Sequence, residues 1–146
     1  MTHTTRPLTH TDRAQWNELW QGYLTFYESA VPQDVTDLTW QRILDPEAPI
    51  HAFCAATPEG KLLGIVHYLF HPVTWAAGPR CYLEDLFTSP DARGKGVGRA
   101  LIEAVYAAAD ARGADQVYWL TQDFNATARK LYDQVAKATP FIKYRR

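Results

Sequence analysis

Between residues 83 and 101 the chain reads LEDLFTSPDARGKGVGRAL, and no other stretch restricts the fold as strongly. An apolar run carrying two adjacent acids, Glu84 and Asp85, ends at Ser89-Pro90, and a helical pattern starts a few residues later. Between them lies Arg93-Gly94-Lys95-Gly96-Val97-Gly98-Arg99, with three glycines and three cations in seven residues. A glycine-rich passage from strand to helix exposes the free N–H groups of the helix start, where the dipole favours anions, and lets a phosphate approach them closely. Flanking Arg and Lys add charge-assisted bonds. The stretch therefore predicts a strand, a phosphate-binding loop and a helix in succession.

Two common phosphate patterns do not fit it. G-x-G-x-x-G fails from Gly94, where Arg99 stands at the last glycine position, and from Gly96, where Leu101 stands there. The Walker pattern needs Ser or Thr after Gly-Lys, but Gly96 follows Gly94-Lys95.

Residues 4–8 suit a short first strand, and Thr9-His10-Thr11-Asp12 are of helix-capping type. Trp16, Leu19, Trp20, Tyr23, Leu24 and Tyr27 then fall at helical intervals and predict a helix with an aromatic face. Phe26, Tyr27 and Glu28 at its end are candidates to line a pocket. Pro32 breaks the helix, and a second, short one runs from Thr36 through Trp40, Ile43 and Leu44. Residues 50–56 and 61–70 read as a hairpin about Thr57-Pro58-Glu59-Gly60, and residues 81–88 as the next strand. Residues 93–112 contain the main helix, 116–121 a strand, 125–135 a helix and 140–146 a last strand. Hairpins followed by strand–helix–strand units predict an α/β domain: a mixed, mostly antiparallel central sheet with helices on both faces.

With 146 residues the chain forms a single domain, 1–146. The net charge of -1 provides no global attraction to nucleic acid or to an anionic membrane, so phosphate binding must be local. No apolar run has membrane-spanning length, and the first residues lack a hydrophobic signal region. Cys54 and Cys81 lie in apolar strands without metal spacing and read as reduced core thiols of a cytoplasmic protein. His67 and His71 are four apart on a strand and its exit, where a helical metal pair cannot form, so no metal is expected.

Arg93, Gly96 and Gly98 spell Arg-x-x-Gly-x-Gly, which resembles the coenzyme A pyrophosphate loop of the GNAT superfamily of N-acetyltransferases. Residues 83–90 look like that family's central strand and the proline after it, and Trp119-Leu120-Thr121 with Asn125, Ala128, Leu131 and Tyr132 like its next strand and helix. The likeness is greatest to the small polyamine, thialysine and histone-type acetyltransferases, which also carry Glu-Asp in the central strand.

The resemblance implies the GNAT fold, with a splayed parallel strand pair that binds CoA, and acetyl-CoA as cofactor. It implies that the backbone of Leu86, Phe87 and Thr88 pairs with the pantetheine arm. It also implies that Arg93, Gly94, Lys95, Gly96, Val97, Gly98 and Arg99 hold the pyrophosphate, and that Asn125 contacts the arm or caps its helix. Glu84 is the implied base and Tyr132 the implied acid. Asp85, with Tyr27 and Glu28, is a candidate to receive the acceptor's charge, although strand alternation sends Glu84 and Asp85 to opposite faces unless the strand is bulged.

The acceptor is expected to be a small cationic amine: a polyamine, an amino acid or a lysine analogue. A protein lysine or N-terminus is the alternative acceptor, and a non-catalytic CoA-binding module the alternative of another class. Only 14 residues follow Tyr132, one strand's worth where family members often have two. A homodimer is therefore expected to complete the sheet edge.

Overall fold

The computed structural model describes residues 2–146. Five strands follow one another across the sheet in chain order: β1 (Thr4–Arg6), β2 (Ile50–Ala56), β3 (Leu62–His71), β4 (Arg80–Thr88) and β5 (Val117–Tyr118). The first three pairings are antiparallel and β4–β5 is parallel, which is the mixed sheet that the sequence predicts. The helices are α1 (Arg13–Phe26), α2 (Gln33–Leu44), α3 (Val97–Ala111) and α4 (Ala126–Val135).

The entry to α1 is held by a charge cluster. Asp12, almost wholly buried, accepts both guanidinium N–H groups of Arg6 at 2.8 and 3.1 Å and the Thr9 backbone N–H at 2.8 Å. The predicted capping segment thus also ties β1 to α1. The aromatic face of α1 then packs on one side of the sheet. Trp16, Leu19, Trp20 and Leu24 are buried there with Trp40 of α2 and with Cys54, Leu62 and Ile65 of the sheet. Trp40 is part of this core. The Trp20 indole N–H donates to Thr36 Oγ1 at 3.2 Å and fastens α2 to α1.

The opposite face is covered by α3 and α4. Val97, Leu101, Ile102 and Val105 of α3 pack against Leu63, Val66, Tyr68, Cys81 and Leu83, with Leu131, Tyr132 and Val135 of α4 at the margin.

Two expectations are corrected. The strand foreseen at 116–121 keeps only Val117 and Tyr118 in the sheet. Residues 140–146 form no strand, and Phe141, Ile142 and Tyr144 are exposed. Strand formation needs a neighbouring edge to bond to, and among the described residues no strand pairs with this segment.

Gly64 marks the tightest contact between sheet and α3. A Cβ there would lie 2.8 Å from Val97 Cγ1 and 2.9 Å from the Phe87 carbonyl oxygen. Gly64→Ala is expected to destabilise the fold by about 1–3 kcal/mol through overpacking, measured by urea unfolding.

Candidate active site

The site forms where β4 and β5 separate. Cys81 and Tyr82 pair with Val117 and Tyr118, and there the parallel ladder ends. Along residues 83–88, β4 keeps its bonds to β3 on one side and has no strand partner on the other. The backbone groups of Leu86, Phe87 and Thr88 on that free edge therefore line a gap.

Just past the last paired residue, β4 is bulged. His67 pairs with Asp85 but Tyr68 pairs with Leu83, which leaves Glu84 as the extra residue. The faces change accordingly. Cys81 and Leu83 point to the α3 side, whereas Phe87, four residues beyond Leu83, packs on the α1 side. Strict alternation would have put Leu83 and Phe87 on one face. Asp85 is thereby turned to the α1 side, where it meets His67 and Tyr23. The bulge is the exception under which alternation does not send the two acids to opposite faces. Each lies close enough to Tyr23 and Tyr82 to raise both phenols.

The electrostatics follow from this crowding. Although Glu84 reaches solvent, the protein packed around its carboxyl, and next the Asp85 charge, raise its pKa above the ordinary value. Tyr23 and Tyr27 are both raised, first by burial and next by the Asp85 charge. Tyr132 is pushed up to about 12, chiefly by burial and secondarily by Tyr27. Tyr132 comes from the α3–α4 side, braced edge-on by Trp119 at 5.4 Å. It faces Tyr27 of α1 through the opening between the two strands.

The glycine loop sits at the other end of the free edge. Gly94 and Gly96 adopt φ of +78° and +80°, a conformation that glycine takes without strain. Gly96 caps α3, whose first helical bond is Ala100 N–H to Gly96 O at 3.0 Å. The N–H groups of Val97, Gly98 and Arg99 thus precede the helical ladder and have no acceptor within it. The Val97 side chain is core, so only its backbone faces the loop. The guanidinium of Arg93 lies 5.9 Å from the Phe87 ring, Arg99 donates to Gln134, and Lys95 Nζ reaches the Asp91 carbonyl at 3.3 Å.

An open groove of about 480 Å³ runs between the end of α1 and the start of α4, lined by Phe26, Tyr27, Glu28, Gln122, Phe124 and Asn125 among others. Glu28 ends α1 at φ +53°, and Ser29 N–H bonds back to the Leu24 carbonyl at 2.9 Å. That strained residue stands at the groove rim. The capping role considered for the Asn125 side chain is not adopted. Its Nδ2 donates to Thr121 Oγ1 at 3.4 Å, and only its carbonyl enters α4.

The profile of the Acetyltransferase (GNAT) family matches residues 15–136. The chain belongs to the GNAT acetyltransferase family. It is 39% identical over 136 residues to the D-amino-acid N-acetyltransferase HPA3 of Saccharomyces cerevisiae, covering 92% of this chain and 84% of that one. It is 36% identical over 76 residues to the thialysine N-epsilon-acetyltransferase of Bos taurus, covering 51% of this chain and 44% of the relative. Among solved structures, AAC(6')-Iy in complex with the bisubstrate analog CoA-S-monomethyl-acetylneamine superposes with a TM-score of 0.85 at 21% identity. That match covers 100% of this chain and 98% of the other, and it establishes the shared fold. The chain is thus a GNAT-type N-acetyltransferase, and acetyl-CoA, the acetyl donor of this family, is its cofactor.

Two residues beside the acids escaped the sequence reading, Tyr23 and His67. Tyr23 is indistinguishable by spacing from the core face of α1. His67 did leave a signal: it is the one polar side chain in the apolar run LLGIVHYLF, and a buried polar group requires partners.

A phenol raised to about 12 stays protonated far beyond neutrality. Subtracting the ultraviolet pH titration of Tyr132→Phe from that of the parent should reveal no phenolate from this residue below about pH 11.

Proposed function

We propose that this chain transfers the acetyl group of acetyl-CoA to the primary amine of a small cationic acceptor: an amino acid, a lysine analogue or a polyamine. The observation that carries the proposal is the convergence at the β4–β5 opening. Two acids and two phenols from α1 approach it from one face, and Tyr132 approaches from the other. The relatives that act on D-amino acids and on thialysine support a small acceptor.

The chain's groups fit the cofactor. The free edge at Leu86, Phe87 and Thr88 offers backbone donors and acceptors for an amide-bearing arm to join as an added strand. The amides from Gly94 to Arg99, with the Arg93, Lys95 and Arg99 side chains, offer a cationic cradle for a pyrophosphate. Asn125, in the groove beside Thr121, is within the path of the arm. When bound, acetyl-CoA supplies an acetyl group activated as a thioester.

The remaining work falls to side chains. A lysine-like ammonium, with a pKa of about 10.4, must shed a proton before it attacks. Glu84 takes that proton on its carboxylate, directly or through one water, and its raised pKa makes it a better base than an ordinary glutamate. Asp85, Tyr27 and Glu28 hold the acceptor's charge at the mouth. Tyr132 holds a proton on Oη for the thiolate that leaves, whose thiol has a pKa near 8.5.

The paired expectations are these. Tyr132→Phe lowers kcat about a hundredfold and leaves acetyl-CoA KM within about twofold. Glu84 must be unprotonated to act, so kcat/KM falls as pH drops through a point above the ordinary carboxylate value of about 4.3. Glu84→Gln loses that limb and most of its rate. A coupled thiol-release assay over D- and L-amino acids, polyamines, lysine analogues, aminoglycosides and basic peptides reads both, and an unchanged kcat in either variant removes that residue from its role.

The exposed Phe141, Ile142 and Tyr144 and the unpaired outer edge of the two-residue β5 support a homodimer in which a second copy covers that edge. Sedimentation at micromolar concentration should give twice the chain mass, and a monomer would count against it. The buried unpaired thiols of Cys54 and Cys81 support a reducing compartment, the cytoplasm.

A further inference from the structure

Beneath the two acids runs a buried relay of hydrogen bonds for which the proposed chemistry has no use. Trp16 Nε1–H donates to His67 Nε2 at 3.0 Å, and His67 Nδ1 lies 2.9 Å from Asp85 Oδ2. Trp16 is 0% and His67 2% exposed, so water does not compete for either bond. An indole nitrogen can only donate, so Nε2 must accept with its lone pair. In that tautomer the proton sits on Nδ1 and is donated to Asp85. Oδ2 is then an acceptor, as in a carboxylate.

Asp85 is thus supplied with donors but not with a counter-charge. Among the described residues no Lys or Arg forms an ion pair with Asp85 or Glu84. A carboxylate whose side chain is only 16% exposed is costly without a cation. The bulge at Glu84 is what brings Asp85 onto this relay, since strict alternation would aim it at the α3 side.

We infer that Trp16 and His67 are positioning residues: they fix one imidazole tautomer, hold Asp85 as a carboxylate turned to the groove, and so make Asp85 the group that binds the acceptor's cationic nitrogen. The inference rests on amine acetylation as proposed above and adds to it a tautomer lock that keeps a donor on Asp85. The groups around His67 are Trp16 and Trp20 from α1, with Arg13 lying beyond Trp16 at 5.9 Å, and Tyr23 faces Asp85. Ala52 faces His67 from β2, and Asp85 and Glu84 from β4. Without the Trp16 donor, Nε2 can carry the ring proton in place of Nδ1, and Asp85 then loses the donor that orients it.

The test has three arms. Nitrogen-15 NMR of the histidine-labelled parent should show His67 protonated on Nδ1 and bare on Nε2; a proton on Nε2 overturns the lock. In Trp16→Phe the amine KM should rise about tenfold with acetyl-CoA KM unmoved, and an amine KM like the parent's overturns the proposal. His67→Asn, whose amide can donate near the Nδ1 position, should keep the amine KM within about threefold. His67→Leu should raise it about tenfold, with acetyl-CoA KM unmoved in both. A Leu variant that binds amine as the parent does overturns the role even if Trp16→Phe fails to fold. A parent that acetylates no amine in the panel would instead sink the acetyl-transfer proposal, and the NMR arm still decides the tautomer.

Discussion

The parallel pairing of β4 with β5 stops after Tyr82, and everything that makes this sheet more than a scaffold depends on that stop. Glu84, two residues further on, is the bulged residue. A bulge bends its strand and raises the local twist. β3 follows the bent strand because its antiparallel bonds continue to Thr88, whereas β5 is anchored only at Val117 and Tyr118 and departs. One irregularity therefore has two effects. It frees a backbone edge leading to the glycine loop, and it turns Asp85 toward α1. An unbroken β4–β5 ladder would close the edge.

The two sides of the opening are built with different stiffness. On one side α1 is embedded: Trp16 and Trp20 are buried and stacked with centroids 6.0 Å apart, and Trp20 stacks on Tyr23 at 5.5 Å. Gly22 lets the helix press on Phe87, since a Cβ there would lie 2.9 Å from that ring. On the other side no residue of α4 is buried, and the helix is held at its edges, where the Tyr106 hydroxyl donates to the Val135 carbonyl at 2.9 Å. Groups that must receive a substrate in one orientation benefit from a packed support. The acids and their aromatic neighbours have it, and Tyr132 relies on Trp119.

What was legible in the sequence was local. Helical spacing of Trp16, Leu19, Trp20 and Leu24 identified the buried face of α1, and the hairpin about Gly60 and the helix after Gly96 follow from turn and dipole chemistry. The phosphate-loop composition of residues 93–99 needs no tertiary information either. What stayed hidden depends on partners far along the chain. The bulge is a mismatch between β3 and β4, and no single strand encodes it. The segment 119–121 has strand composition yet leaves the sheet, and residues 140–146 have strand composition but no edge to join. Asn125 has capping chemistry, but its amide faces Thr121. His67 lay between: its polarity within an apolar run required partners, while their identity, Trp16 and Asp85, is a tertiary fact 51 and 18 residues away.

Burial acts on Glu84 and Tyr132 in the same direction, and the consequences for proton transfer are opposite. Enclosure disfavours each charged form, so both values rise. For a carboxylate, a raised value strengthens the base. For a phenol, rising to about 12 secures the proton but weakens the acid. A thiol near 8.5 is the stronger acid of the two, so complete transfer from Tyr132 to a free thiolate runs uphill by several pH units. In the proposed reaction Tyr132 would therefore serve best as a hydrogen-bond donor that stabilises charge developing on sulfur, an electrostatic contribution that is larger in an enclosed site than in water. The net proton reaching the thiolate is then supplied by the amine, through Glu84 or solvent, and the two residues need not exchange protons with each other. On this proposed division of labour, Glu84 would govern the pH dependence and Tyr132 the barrier height.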